Sequence, residues 1–292
     1  MTSRFKAACI QMNTGADVAE NLGAAADLVR RARDEGADLI ALPENTNLMD
    51  ANYAAMAGKV SVEDGNPELE SFRELARDTG AWLLIGSMKV ALPDADKMAN
   101  RSFLISADGE VQARYDKLHM FDVDLGGAEN HRESNHYRAG DKAVLTETPW
   151  CKMGLSICYD LRFAYLYRQL AQAGAGVLTV PAAFTRISGE AHWHVLLRAR
   201  AIETGCYVIA PAQCGDHPGD RQTYGHSLIV DPWGQVLADG GDEPGIVVAE
   251  IDMDRVGEAR GMDARCCCHC AQLVRNAAVE PGHFGAGFVR NE

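Results

Sequence analysis

The stretch GLSICYDLRF, Gly154–Phe163, governs how the rest of the chain is read. A short apolar run ends on Cys158, and an aromatic residue, an acid and an arginine follow at once. The run reads as a strand, and RFAYLYRQLAQAG from Arg162 onward reads as a helix, so the thiol stands at a strand-to-helix junction. Such a junction can open into a cleft, where amide N–H groups at a helix start favour thiolate. A buried structural cysteine would look the same in this stretch alone.

The same alternation extends in both directions. Upstream, FKAACIQM (Phe5–Met12) reads as a buried strand, followed by a helix that stops at Gly36. ADLIALPE (Ala37–Glu44) is a second strand, and a helix over Pro67–Gly80 leads to a strand over Trp82–Leu92. Asn100–Lys117 reads as a hairpin turning at Asp108-Gly109. Leu118–Glu147 is expected to be a long polar connection, of the kind that is usually functional or mobile. Downstream of the junction come a strand at Gly176–Ala182 and a helix at Glu190–Gly205. Strands follow at Tyr207–Gln213, Tyr224–Ala238 and Gly245–Asp252, with a turn at Pro232-Trp233-Gly234. Alternating strands and helices with hairpins between them predict a mixed-sheet α/β protein. No tandem repeat or Gly/Ser/Pro-rich linker divides it, so a single domain is expected over residues 1–260, followed by a tail over 261–292.

Composition narrows the function. The net charge is −13, from 28 basic and 41 acidic residues. That balance disfavours general binding to nucleic acid or to an anionic membrane. No signal peptide or transmembrane run is expected. The nine cysteines include Cys9, Cys151, Cys158, Cys206 and Cys214, scattered mostly through apolar strands. This suits a reducing cytoplasm better than a disulfide scaffold.

Three further positions stand out beside Cys158. Glu44, in ALPEN, ends its strand, where α/β sheets keep their sites. Near a thiol it would accept a proton and later return it; elsewhere it is a loop acid or a helix cap. Lys117, in YDKLHMFD, is either a stabiliser of developing negative charge or a surface lysine. Glu133, in HRESN, reads alone as loop charge. His119, His131 and His136 match no metal-ligand spacing and are expected to be solvated loop residues. His192 and His194 lie two apart on a helix, facing different sides, so they do not share a metal.

Taken in order, Glu in LPEN, Lys in YDKLH and Cys in GLSICYDLRF resemble the nitrilase superfamily, the carbon–nitrogen hydrolases. The likeness runs from about Phe5 to Arg260. It is nearest the Nit-type amidase branch, through AHWHVLLRARAIETGCYVIAPAQCG and YGHSLIVDPWG. The resemblance implies an αββα sandwich and a homodimer or higher homo-oligomer. It makes Cys158 the nucleophile, Glu44 the general base and then acid, and Lys117 the oxyanion stabiliser. Glu133 matches a second glutamate that positions the lysine and substrate, and the Tyr159 N–H would be a second oxyanion donor. No cofactor or metal is implied. The substrate would be a small carboxamide, such as an α-keto acid amide of the deaminated glutathione type, cleaved through a thioester on Cys158. Phe184, Thr185 and Arg186 follow the strand expected beside that of Cys158, and Arg186 is a candidate partner for a substrate carboxylate. His192 and Trp193 fall where related amidases border the pocket.

The same three residues would serve a nitrilase or an N-carbamoyl amino acid amidohydrolase. A catalytically silent binding protein on the same fold is the alternative of another class. After Arg260 the likeness fades into GMDARCCCHCAQLVRNAAVE, where Cys266–Cys270 hold one C-x₂-C spacing. A lone spacing with adjacent ligands is a poor zinc site, and a divergent tail or a change of reading frame is expected instead.

Overall fold

The computed structural model describes residues 3–124 and 130–262. The cysteine cluster at Cys266–Cys270 lies outside the described residues.

The first half runs β1 (Arg4–Gln11), α1 (Val18–Asp34), β2 (Leu39–Ala41), α2 (Tyr53–Ala57), α3 (Pro67–Thr79), β3 (Trp82–Ala91), β4 (Met98–Ile105) and β5 (Val111–Asp116). A small hairpin, β6 (Asp122–Asp124) and β7 (Asn130–Arg132), and a 3₁₀ turn (Glu133–Asn135) lead to β8 (Val144–Glu147) and β9 (Lys152–Leu155). A second 3₁₀ turn (Cys158–Arg162) precedes α4 (Ala164–Gln172), β10 (Val177–Thr179), α5 (Arg186–Thr204) and β11 (Tyr207–Ala210). The chain continues through β12 (Cys214–His217), β13 (Arg221–Tyr224), β14 (Leu228–Val230), β15 (Val236–Asp239), β16 (Gly245–Asp252) and α6 (Asp254–Met262).

Two six-stranded sheets form, in the orders β16-β1-β2-β3-β4-β5 and β15-β14-β11-β10-β9-β8. Each has three parallel strands at its centre, β1-β2-β3 and β9-β10-β11, flanked by antiparallel ones. Side-chain alternation sorts the layers. Phe5, Ala7 and Cys9 of β1 join the core that contains the second sheet, while Ala8 and Ile10 join the core under α1 and α3. α1 buries Asn21, Ala25, Val29 and Ala32, a stripe at helical spacing. It starts where the Asp17 side chain accepts the Glu20 N–H. α3 starts at Asn66–Pro67 and stops at Gly80, which is left-handed (φ 63°). Leu166, Leu170, Trp193 and Leu197 of α4 and α5 pack on the second sheet. The layers are therefore helix, sheet, sheet, helix, as the resemblance implies.

One seam ties the sheets at the site end. Beyond β1, the Cys214 N–H donates to the Met12 carbonyl at 2.8 Å. The Gln213 amide donates to the Glu44 carbonyl at 2.9 Å.

Three local expectations are corrected. Leu118–Glu147 is not all connection, because β8 pairs with β9 as an edge strand; half-buried and short, it carries no apolar run. α5 begins at Arg186 rather than Glu190. Gly189 does not break it; a Cβ there would lie 2.3 Å from the Tyr224 Cβ, so glycine is needed for close packing. The segment before Tyr224 holds a hairpin, β12–β13, absent from the sequence reading. Among the described residues no helix is long and apolar enough to cross a membrane.

Candidate active site

Four elements deliver the central groups. Glu44 follows β2, in a turn where Asn45 is left-handed (φ 60°) and its N–H is held by the Ser87 hydroxyl at 2.9 Å. Lys117 follows β5, with its N–H on the Asn100 carbonyl at 3.0 Å. Cys158 opens the second 3₁₀ turn at φ 49°, an uncommon angle for a side-chain-bearing residue. Its N–H donates to the Pro181 carbonyl at 2.9 Å, which pins the strained residue to the end of β10. Glu133 lies on the first 3₁₀ turn.

Their side chains meet. The Lys117 ammonium donates to Glu44 Oε1 at 3.0 Å and to both oxygens of Glu133 at 2.8 and 3.1 Å. Asn100 donates to Glu44 Oε1 at 2.9 Å and to Glu133 Oε1 at 3.2 Å, so one amide braces both carboxylates. Glu44 Oε2 accepts the Ala183 N–H at 2.8 Å, and the Phe121 N–H holds Glu133 Oε2 at 2.7 Å. The Cys158 thiol neighbours the Glu44 carboxylate closely enough for each to shift the other's proton affinity. Glu44 and Lys117 are each 2% exposed.

Burial and charge fix the proton positions. Burial raises the Glu44 carboxyl, but the Lys117 ammonium, the Arg221 guanidinium, the hydrogen bond from Lys117 and the neighbouring Cys158 thiol outweigh it and hold it at about 2. Burial, with the negative charge of Glu44, drives the Cys158 thiol well above its ordinary value despite Lys117. Lys117 is held well above its ordinary value, because Glu133, Glu44 and Cys158 overcome the cost of burying it. The resting set is a neutral thiol, two carboxylates and an ammonium.

A cavity of about 470 Å³ opens over these groups. Glu44, Lys117, Glu133, Cys158, Tyr159, Phe184 and Thr185 line it. Arg186, His192 and Trp193, expected at the substrate, do not line it. Arg186 is on the first turn of α5, exposed, 3.5 Å from Glu190 one turn on. His192 is on the exposed face of the same helix, 3.4 Å from the Arg162 guanidinium. Trp193 is fully buried, donating from Nε1 to the His226 carbonyl at 2.7 Å. Sequence proximity to the end of β10 says nothing of which way a helix turns its side chains. His119 is also not solvated: its ring stacks on Phe163 at 3.6 Å.

Sequence reading missed the cations of the wall. Lys89 lines the cavity from β3, and its ammonium donates to Asn45 Oδ1 at 2.8 Å and to the Leu48 carbonyl. Burial, then repulsion from Arg221, lowers it to about 7. A lone lysine inside the apolar run WLLIGSMKVAL was the available signal. Arg221 comes from β13 and donates to the Ala183 carbonyl at 3.0 Å. Its buried Nε has no hydrogen-bond partner among the described residues. Asp160 was also missed. It is fully buried and accepts from the Ile157 N–H (2.8 Å), the His119 N–H (3.0 Å) and the Tyr115 hydroxyl (2.6 Å). It thus ties the turn of Cys158 to the strand end of Lys117.

Comparison with known proteins identifies the family. The family model for carbon–nitrogen hydrolases matches residues 6–261. A deaminated glutathione amidase of Synechocystis sp. is 40% identical over 259 residues, 88% of this chain and 94% of that one. The Homo sapiens deaminated glutathione amidase is 42% identical over 257 residues, 87% of this chain and 78% of that one. The crystal structure of Saccharomyces cerevisiae Nit3, of branch 10 of the nitrilase superfamily, superposes with a TM-score of 0.79. That pair is 29% identical, over 89% of this chain and 94% of that chain. The chain belongs to the carbon–nitrogen hydrolase family, within the nitrilase superfamily. Inside that family it is an amidase, and the nitrilase, carbamoylase and silent-scaffold alternatives are not favoured.

Proposed function

We propose that the protein hydrolyses a small, carboxylate-bearing amide of the deaminated glutathione type, through a thioester on Cys158. The observation that supports this best is the meeting of Cys158, Glu44 and Lys117 under a cavity whose walls add Lys89 and Arg221. The two relatives described above are named for that substrate.

The chemistry follows from the proton positions. At rest the proton sits on sulfur, and Glu44 is its acceptor. Attack on the amide carbon moves that proton to Glu44 as the C–S bond forms, so negative charge leaves the carboxylate and appears on the carbonyl oxygen. Lys117 neighbours both ends of this transfer, which keeps the ion paired throughout. The Tyr159 N–H, next along the turn, is the second donor. Protonated Glu44 then gives its proton to the amide nitrogen, the C–N bond breaks, and ammonia or an amine leaves. Water, losing a proton to Glu44, attacks the thioester; the acid departs and the proton returns to sulfur. Glu133 and Asn100 hold Lys117 and Glu44 in place through each step.

The same reading places the enzyme in a reducing compartment, the cytoplasm, supported by Cys9, Cys151, Cys158 and Cys214 standing as thiols rather than disulfides. It also assembles the chain as a homodimer or larger homo-oligomer, supported by exposed Ile187, Val195, Ile202 and Trp233. Sedimentation of the purified protein checks the assembly; a monomer at micromolar concentration contradicts it.

The substrate test compares kcat/KM for deaminated glutathione, 2-oxoglutaramate, a neutral amide, a nitrile and an N-carbamoyl amino acid. The two keto-acid amides are expected to lead, with an acyl adduct on Cys158 by mass spectrometry. Preference for the nitrile or the carbamoyl compound would overturn the proposal.

A further inference from the structure

A second group of chemistry-bearing side chains lies on another face. His194 comes from α5, His226 stands just ahead of β14, and Asp239 ends β15. None of the three lines the cavity around Cys158. His194 Nε2 is 3.1 Å from Asp239 Oδ2, and His226 Nδ1 is 2.8 Å from Asp239 Oδ1. One donor atom from each residue lies within 4.8 Å of the others. In a tetrahedral zinc site with bonds of about 2.0–2.1 Å, neighbouring ligand atoms stand about 3.3 Å apart. The existing spacings therefore accept an ion with small side-chain shifts and no change of backbone.

The surroundings hold these groups in orientation. The Tyr224 ring stacks on His226 with centroids 4.4 Å apart and meets His194 edge-on at 5.9 Å. Gly189 leaves room for that ring. Asp239 Oδ1 accepts the Gly241 N–H at 3.0 Å. His226 has a left-handed backbone (φ 53°), clamped by its N–H on the Gly241 carbonyl at 2.6 Å and by Trp193 on its own carbonyl. Outer hydrogen bonds and packing of this kind orient metal ligands. The three side chains are 26–37% exposed, so an ion reaches them from solvent and keeps open coordination positions.

We propose that His194, His226 and Asp239 form a solvent-open site for one divalent transition-metal ion of the zinc class. Two imidazole nitrogens and a carboxylate suit zinc, nickel or copper, whereas magnesium and calcium require oxygen ligands. The hydrogen bonds to Asp239 hold the ring protons on His194 Nε2 and His226 Nδ1; as the ion binds, each ring shifts its proton to its other nitrogen through solvent, and the freed lone pairs and the Asp239 carboxylate coordinate the metal. Bound metal cross-links α5, the turn before β14 and the end of β15.

The test uses the full-length chain with its thiols blocked by iodoacetamide, so that no cysteine competes for metal. Calorimetric titration with Zn²⁺ at neutral pH is run on this protein and on His194→Ala and His226→Asn. Asparagine tolerates the left-handed backbone at 226, so this variant keeps the turn. One equivalent per chain is expected, weakened about tenfold or more in each variant, in line with the loss of a metal ligand. Cu²⁺ bound to the unsubstituted protein is expected to show two-nitrogen coupling by electron paramagnetic resonance, a readout that survives if a variant fails to fold. No saturable Zn²⁺ binding up to millimolar concentration, equal affinity in both variants, or copper without nitrogen coupling would each mean an ordinary His–Asp–His hydrogen-bonded cluster and overturn the proposal.

Discussion

Cys158 keeps its proton because it is buried beside a carboxylate, so the site is primed by its acceptor rather than by a resting thiolate. Replacing it with alanine removes the nucleophile and leaves the Glu44–Lys117–Glu133 network paired. Cys158→Ala is therefore expected to melt within a few degrees of the parent and to release no ammonia or amine; wild-type turnover in this variant would end the assignment. For Glu44 the sign is that of a depressed acid. Its folded value, about 2, lies below the ordinary 4.5, so its ion pair stabilises the fold above pH 4.5 and is lost as pH falls toward 2. Glu44 thus adds no inflection to kcat/KM for a neutral amide between pH 5 and 8. A pH–rate profile carried down to about pH 3.5 that showed an acid limb near its ordinary 4.5 would contradict this. Asp160 acts through others. Asp160→Asn keeps the volume but turns an amide NH₂ toward N–H donors, leaving buried groups unpaired at a cost of about 1–3 kcal/mol. The melting temperature should drop, and kcat should fall while KM changes little, because the Cys158 turn loses its tie to the Lys117 loop.

At the scale of elements, the central groups were legible because each ends a strand beside recognisable punctuation: Pro43 before Glu44, the hairpin before Lys117, the apolar run before Cys158. What escaped was close approach between elements. Gly86 sits inside β3, and a Cβ there would lie 2.0 Å from the Leu42 carbonyl oxygen and 2.4 Å from the Pro181 Cβ. Leu42 leads into the turn of Glu44, and Pro181 accepts the Cys158 N–H. An absent side chain on β3 thereby sets how near the base comes to the nucleophile, and no periodicity announces this. Gly86→Ala is expected to destabilise by about 1–3 kcal/mol, the usual cost of overpacking, and to lower kcat as the two turns separate. Denaturant unfolding and kinetics together check it; unchanged kcat would show that the turns do not depend on β3. Lys89, the strand position after the bulge at Ile85/Met88, loses its charge as pH rises through about 7. KM for an anionic amide should rise across that interval while KM for a neutral amide stays level.

Across the whole molecule, alternation along the chain foretold strands and helices, but the stacking of two sheets came through family resemblance. Periodicity is a property of one element, whereas the seam from Met12 to Cys214 joins residues two hundred positions apart. The same limit explains why Arg186, His192 and Trp193 lie off the cavity. Arg186 looked suitable because it follows β10, yet a cation that does reach the cavity, Arg221, arrives on a hairpin whose pairing depends on the surrounding fold. Lys89 comes from the first sheet and Arg221 from the hairpin beyond the second, so preference for substrate charge is assembled only when both halves close. Arg221 lines the cavity and is anchored by one N–H on the Ala183 carbonyl, which sets its guanidinium charge where a substrate carboxylate would sit. Arg221→Gln should therefore raise KM for deaminated glutathione about 30-fold or more, the scale of losing one partner from a buried charge pair. KM for a neutral amide should change much less, and Arg186→Gln should leave the anionic preference where it was. Steady-state kinetics of both variants on both substrates decides the matter: loss of anionic preference on removing Arg186 rather than Arg221 would return the substrate carboxylate to the start of α5.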